Sequence, residues 1–290
     1  MTKRLFCFGL GYSARVLARR LKGEGFAIAG TCREEETAAA LRREGYEVFL
    51  FSRERVLENA AGALAGTTHL LGSVPPDADG DPVLDCHGED IAALGQGLNW
   101  VGYLSTTGVY GDRRGGWVDE DSPLEPTTER GRRRAAAEAG WLDLWWDHGL
   151  PVHIFRLASI YGPGRNALDE VKSGRAKRVV KEGQVFSRIH VEDIASVLQA
   201  SMAKPNPGRI YNVCDDDPAP PQQVVAFAAS LLGREPPPEI PFERAELSDM
   251  AKSFYAENKR VRNGRIKSEL GVALAYPDFH VGLRSLLAAS

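Results

Sequence analysis

Four cysteines in 290 residues, none paired as Cys-x-x-Cys, argue against a disulfide-built fold and a thiolate zinc site. Cys7, Cys32, Cys86 and Cys214 read as free thiols of a reducing compartment. The histidines at 69, 87, 148, 153, 190 and 280 lack His-Glu-x-x-His or similar ligand spacing, so no metal is expected. No apolar run approaches the roughly 20 residues of a membrane span. The first strand lies too close to Met1 to leave room for a cleavable leader, so a cytoplasmic protein with no membrane partner is expected. A net charge of −3 gives no electrostatic reason for a nucleic-acid partner. Internal repeats and low-complexity tracts are absent as well.

What the chain does contain begins at once. Arg4 to Phe8 reads as a buried strand, and Tyr12 to Leu21 carries Val16, Leu17 and Leu21 at helical spacing. Between them lies Gly9-Leu10-Gly11-Tyr12-Ser13-Ala14, a strand-to-helix turn. Gly9 suits the tight backbone, Gly11 admits a pyrophosphate to the main chain, and Ala14 keeps helix and strand close, so the helix N-terminus faces the anion. An ordinary structural turn is the alternative.

Strands at Ala27 to Cys32 and Val48 to Phe51 alternate with helices at Glu34 to Glu44 and from about Val56. Further strands at His69 to Leu71 and Val101 to Leu104 end in Gly72-Ser73-Val74-Pro75-Pro76 and Ser105-Thr106-Thr107-Gly108. The pattern predicts an α/β fold: a doubly wound parallel sheet of Rossmann type over residues 1–160. Residues 161–290 read mostly as a smaller C-terminal substrate lobe, with some segments returning to the first domain. Ligands of such sheets lie beyond the carboxyl ends of the strands, so both tails are expected at the cofactor. A helix over about 128–148 carries Ala137, Trp141, Leu144, Trp145 and His148 on one face, which suits core burial or a homodimer contact. Cys86-His87-Gly88-Glu89 reads as a loop before a helix, and Asp215-Asp216-Asp217-Pro218 as a turn with a helix cap.

The second strand ends Gly30-Thr31-Cys32-Arg33, with no carboxylate at its tip for a ribose hydroxyl. Arg33 favours NADP, with NAD as the alternative cofactor.

Four stretches in order resemble the extended short-chain dehydrogenase/reductases, the NAD-dependent epimerase/dehydratase family, and within it an atypical bacterial branch. Besides the glycine loop they are Ser105-Thr106-Thr107-Gly108-Val109-Tyr110-Gly111, Arg156 to Gly164 with its Tyr161-Gly162-Pro163-Gly164, and Ser187 to Ala195 with its Ile189-His190-Val191-Glu192-Asp193. Ile210-Tyr211-Asn212-Val213, Asn258-Lys259-Arg260 and Glu269-Leu270-Gly271 extend the match over nearly the whole chain. The resemblance implies a dinucleotide held by Gly9, Gly11, Tyr12, Ser13, Ala14, Arg33, Ser73, Val74, Pro75, Arg134 and Ser159. It also implies a small-molecule substrate, nucleotide-sugar-like or otherwise phosphorylated, met by Arg165 and Arg188.

The family's chemistry uses a Tyr acid/base, a Lys four residues later that lowers its pKa, and a Ser or Thr that polarises the substrate oxygen. Thr106 matches the hydroxyl, but the segment after Pro126 aligns Arg130 with the Tyr and Arg134 with the Lys. Arginine does not titrate in the useful range. Shifting the alignment restores neither group, because no Tyr or Lys occurs from Asp112 to Ile160. Tyr255-x-x-x-Lys259 lies far away in sequence and reads as coincidence. Tyr110 is the catalytic candidate beside Thr106; Tyr161 and Glu129 are weaker, each with a packing or helix-dipole reading of its own. Two functions stay open: an NADP-dependent oxidoreductase, epimerase or dehydratase, and a non-catalytic NADP(H)-binding sensor or scaffold.

Overall fold

A computed structural model describes residues 3–289, as two compact units. The chain begins β1 (Arg4–Phe8), α1 (Tyr12–Gly23), β2 (Ala27–Cys32), α2 (Glu35–Arg43), β3 (Glu47–Leu50), α3 (Ala60–Leu64), β4 (His69–Gly72), α4 (Pro82–Ala92) and β5 (Trp100–Thr106). It continues with β6 (Trp117–Val118), α5 (Glu129–His148), β7 (Val152–Leu157), β8 (Ser159–Tyr161), α6 (Ala167–Lys172), β9 (Arg178–Val180), β10 (Arg188–His190) and α7 (Val191–Ala203). The last elements are β11 (Ile210–Val213), α8 (Pro221–Leu231), β12 (Glu239–Pro241), α9 (Asp249–Tyr255), β13 (Arg260–Val261), α10 (Gly264–Ser268) and α11 (Phe279–Ala288). Among the described residues no helix is long and apolar enough to cross a membrane.

Seven strands form one sheet in the order β11-β7-β5-β4-β1-β2-β3, a doubly wound Rossmann arrangement. The pairings from β3 through β5 are parallel, with Leu5 opposite both Ile28 and His69. The chain runs outward from β1 to β3, then crosses back to β4, so its direction of travel reverses between β1 and β4. That switch point is where the glycine loop and the Ser73 tail emerge side by side. The first unit comprises Met1–Thr106, Arg132–Arg156 and Ala195–Tyr211. Its core gathers Phe6 and Phe8 from β1, Leu70 from β4, Val101 and Tyr103 from β5, and Trp141 and Leu144 from α5.

The second unit comprises Thr107–Gly131, Leu157–Ile194 and Asn212–Ser290, which corrects the expected division at residue 160. Thr107–Gly131 belongs with the C-terminal segments because β6 pairs with β13 and the N–H groups of Arg113 and Gly115 donate to Asn258 O. The stretch Ala195–Tyr211 lies in the first unit, where Ser201 accepts a hydrogen bond from Trp100 Nε1 at 3.0 Å. A separate apolar core in the second unit joins Tyr161, Leu168, Val171, Val225, Phe279 and Leu283.

Two local expectations are overturned. The helix expected from Val56 begins only at Ala60, because Ser52 and Arg55 close a turn and the Asn59 side chain caps the helix by accepting from Gly62 N–H at 2.9 Å. Cys86-His87-Gly88-Glu89 lies inside α4 rather than before it, with a kink at His87 (φ −138°). His87 is buried there, its Nε2 accepting from Leu57 N–H at 3.1 Å and its Nδ1 2.8 Å from Asp90 Oδ2.

Candidate active site

The turn after β1 leaves the N-terminus of α1 without a side-chain cap. Gly9 has φ +86°, a region that side chains with a Cβ avoid, and its N–H donates to Thr31 Oγ1 at 2.8 Å. Ser73 N–H donates to Phe8 O at 2.9 Å and Ser73 Oγ to Gly9 O at 2.5 Å, so the tail of β4 braces the loop. A Cβ on Gly9 would stand 2.9 Å from Ser73 Oγ and 3.2 Å from Val74 Cγ2. At Gly11, the N-cap of α1, a Cβ would meet nothing within 4 Å. No side chain caps α1 and no acidic residue occupies its first turn. By contrast, α2 opens with Glu35 and Glu36, and Asp81 caps α4. Tyr12 is half-buried, Ser13 and Ala14 are buried, and Arg33 is exposed just past the end of β2.

At the end of β5, Thr106 is half-exposed, and the residues beneath it are held by a buried polar chain. Ser105 Oγ donates to Glu138 Oε1, and Arg156 donates to Glu138 through Nε at 3.1 Å and Nη2 at 2.7 Å. Arg134, one turn earlier on α5, donates from Nη1 to Leu104 O at 2.6 Å and Tyr103 Oη at 3.2 Å. Its guanidinium carbon lies 5.6 Å from the Tyr103 ring, and its Nε is buried without a hydrogen-bond partner. Trp141 donates to Asp81 Oδ2 at 3.0 Å and stacks on Tyr103 at 5.3 Å. The inner face of α5 is therefore polar at 134 and 138 and apolar at 137, 141 and 144. Arg134, matched in sequence to the family's Lys, forms with Glu138 an Arg134-x-x-x-Glu138 pair that puts two charges on one helical face beside the apolar stripe.

Tyr110, the catalytic candidate, lies inside the second unit. Its ring is fully buried and its hydroxyl donates to Asn212 Oδ1 at 2.7 Å. Tyr161 is also buried, with its hydroxyl directed at Asp278 O at 3.4 Å, and burial holds its pKa far above the ordinary phenol range. Arg188, expected at the substrate, is buried in the second unit and donates from Nη1 to Phe186 O at 2.8 Å and Ala219 O at 3.0 Å. Burial also lowers its pKa. Arg165 stays exposed in a turn closed on Gly162, and Ser159 is exposed at the start of β8. The turn-and-cap reading of Asp215 fails too. Asp215 is 1 % exposed, neither carboxylate oxygen has a hydrogen-bond partner, and burial pushes its pKa up to about 8.

The second unit adds a group that sequence reasoning dismissed. Lys259 Nζ donates to Gly111 O at 2.9 Å and Glu257 Oε2 at 2.6 Å. Glu257 Oε1 accepts from the hydroxyls of Thr127 at 2.9 Å and Thr128 at 3.4 Å. Tyr255, four residues before Lys259, packs its ring on Phe242 and Phe186 instead, at 5.1 and 5.4 Å.

Residues 91–214 match the NAD dependent epimerase/dehydratase family. Protein YeeZ of Escherichia coli (strain K12) is 30% identical over 95% of this chain and 97% of its own length. A functionally unknown conserved protein from Silicibacter pomeroyi DSS is 53% identical, superposes with a TM-score of 0.90, and covers 99% of both chains. The dTDP-glucose 4,6-dehydratase from Bacillus anthracis str. Ames, solved in complex with NAD, shares the fold at 17% identity, with a TM-score of 0.78 over 99% of this chain and 96% of its own.

Proposed function

The chain belongs to the NAD dependent epimerase/dehydratase family, and we propose that it binds NADP in preference to NAD and uses it to oxidise and reduce, epimerise or dehydrate a nucleotide-sugar-like or other phosphorylated metabolite. The observation that carries this reading is the uncapped, acid-free N-terminus of α1 under Gly11 at the switch point of the sheet. Its unscreened end charge suits a pyrophosphate, and its open backbone suits close approach. Gly9, Gly11, Tyr12, Ser13 and Ala14 would hold the pyrophosphate and Ser73, Val74 and Pro75 would border it, whereas Arg134, expected at the ribose, is buried and bonded to Leu104 O and Tyr103. Arg33, exposed where a ribose-binding carboxylate would otherwise stand, supports NADP. The bound dinucleotide would supply a hydride acceptor at its nicotinamide ring. Thr106, half-exposed on an anchored strand end, would hydrogen-bond the substrate oxygen, and Arg165 would meet a substrate phosphate.

Titration calorimetry with NADPH and NADH tests the reading. Micromolar binding of NADPH and weaker binding of NADH is expected; no binding below millimolar to either rejects it.

We further propose a second copy of the chain as partner, docked through α5. Trp146 is 70 % exposed on that helix and lies against Trp145 at 4.1 Å. A separate groove between α4 and another side of α5, lined by Gly88, Ala92, Ala136 and Gly140, has Asp85 and Glu89 on α4 and Arg133 on α5. In a two-fold contact, such acids and bases face their opposites. Four free cysteines support a cytoplasmic location.

A further inference from the structure

Glycine reaches φ +86° without strain but reaches many other conformations as easily, so Gly9 holds its turn only as firmly as its neighbours fix it. The strands on either side of β1 do so. From β2, Thr31 Oγ1 accepts the Gly9 N–H at 2.8 Å and Thr31 O accepts the Leu10 N–H at 2.7 Å, so one residue grips two consecutive amides of the turn. From the tail of β4, Ser73 Oγ donates to Gly9 O, which also accepts the Gly11 N–H at 2.8 Å. Both peptide groups that flank the Gly9 α-carbon are therefore held.

The register of the sheet brings Thr31 within reach. Cys7 stands opposite Gly30 in the parallel pair of β1 and β2, which puts Thr31 level with the end of β1. A Cβ on Gly30 would stand 2.7 Å from Cys7 O and 3.3 Å from Leu10 Cβ, so glycine there lets β2 approach the turn closely. Thr31 is 1 % exposed, where water does not readily replace a lost hydroxyl. The first-turn N–H groups of α1 have no intrahelical acceptor, and no side chain caps them. Their direction is set by the turn, because α1 begins at Tyr12, directly after it.

We propose that Thr31 is a positioning residue for the pyrophosphate of the dinucleotide: its hydroxyl, acting through Gly9, aims the first-turn N–H groups of α1 at the anion without touching it. The inference rests on the dinucleotide reading above. Thr31 grips the turn, whereas Arg33 is exposed past the end of β2 and serves the 2′-phosphate in that reading, so the two act on different parts of the ligand. Loss of the Thr31 hydroxyl weakens every ligand that carries the diphosphate, with or without a 2′-phosphate. Loss of its methyl group alone does not. A threonine that served only to fill space beside the turn would show the reverse.

The test measures binding of NADPH, NADH and ADP by titration calorimetry in the full-length protein and in Thr31→Val and Thr31→Ser. The valine keeps the shape and loses the hydrogen bond; the serine keeps the bond and loses a methyl group. In Thr31→Val the three affinities are expected to fall together, at least ~10-fold each, because the turn must then be ordered as the ligand binds. Thr31→Ser is expected to stay within about threefold of wild type for all three. In amide NMR spectra of the ligand-free protein, the Gly9 and Leu10 signals are expected to shift or broaden in Thr31→Val and to hold near wild type in Thr31→Ser. Thr31→Ala carries the expectation of Thr31→Val and replaces it if the valine variant does not fold. Wild-type affinity for ADP in the variant without the hydroxyl overturns the proposal. A loss confined to NADPH overturns it too, and so does a loss in Thr31→Ser as large as in Thr31→Val. A wild-type protein that binds neither dinucleotide removes the underlying reading and the proposal with it, a result seen before any variant is made.

Discussion

At Gly9 two independent costs meet in a single methyl group. Alanine there must adopt φ +86° and place its Cβ 2.9 Å from the Ser73 oxygen that braces the loop. Gly9→Ala is expected to destabilise the fold by about 1–3 kcal/mol and to weaken dinucleotide binding at least ~10-fold, read by urea denaturation and calorimetry; wild-type values in both would refute that role of the turn. Arg33 makes a cleaner case, because it is exposed and its removal leaves the core untouched. Arg33→Ala is expected to weaken NADPH by about 1.5–3 kcal/mol, the range of a charged hydrogen bond, while leaving NADH within about twofold. Equal losses for the two cofactors would mean that Arg33 does not meet a 2′-phosphate. The conformation of Gly9 was legible in the sequence because a turn between strand and helix constrains its own backbone locally. Tyr110 was not, since its hydroxyl is spent on Asn212, 102 positions away.

Helix α5 shows how one element divides its surface. Arg134 and Glu138 face the sheet through hydrogen bonds to Leu104 O and Ser105, and Arg156 completes the buried pair with Glu138. Glu138 and Arg156 are each 2 % exposed, so removing one strands the other in a low-dielectric interior. Glu138→Ala is expected to cost about 3–5 kcal/mol, whereas the double change Glu138→Leu, Arg156→Met is expected to recover most of that loss. A double variant as unstable as the single would show that the charge itself, not its stranding, matters. On the outward side, Trp146 carries the dimer proposal. Trp146→Glu is expected to convert a dimer to a monomer in sedimentation velocity, with unchanged melting of the monomer; a monomeric wild type removes the proposed contact. Helical periodicity located this element to within a residue, but the paired charges on its inner face became meaningful only once β5 and β7 lay against it.

For the whole molecule, burial sets the pH dependence of stability. His69 and His153 are pushed down to about 4 by burial, so the folded chain refuses protons that the unfolded chain takes up below about 6.5. Their contribution is full above about 6.5 and is lost as pH falls toward 4. Asp215, pushed up to about 8, works in the opposite sense: the folded chain keeps a proton that the unfolded chain releases above about 4, so stability falls as pH rises toward 8. Between about 6.5 and 8 only the aspartate limb remains of these three, and it amounts to about 2 kcal/mol. Asp215→Asn is expected to flatten that limb in denaturant titrations, and a parallel pair of curves would reject the assignment. The doubly wound sheet, the glycine loop and the family resemblance could be read from residue order alone, because hydrophobic period, turn chemistry and helix length are properties of neighbours in the chain. The membership of Thr107–Gly131 in the second unit, the burial of Tyr110, Arg188 and Asp215, and the meeting of Glu257 with Thr127 could not. Each depends on packing between segments far apart in sequence, where burial and partner geometry, rather than residue type, decide what a side chain can do.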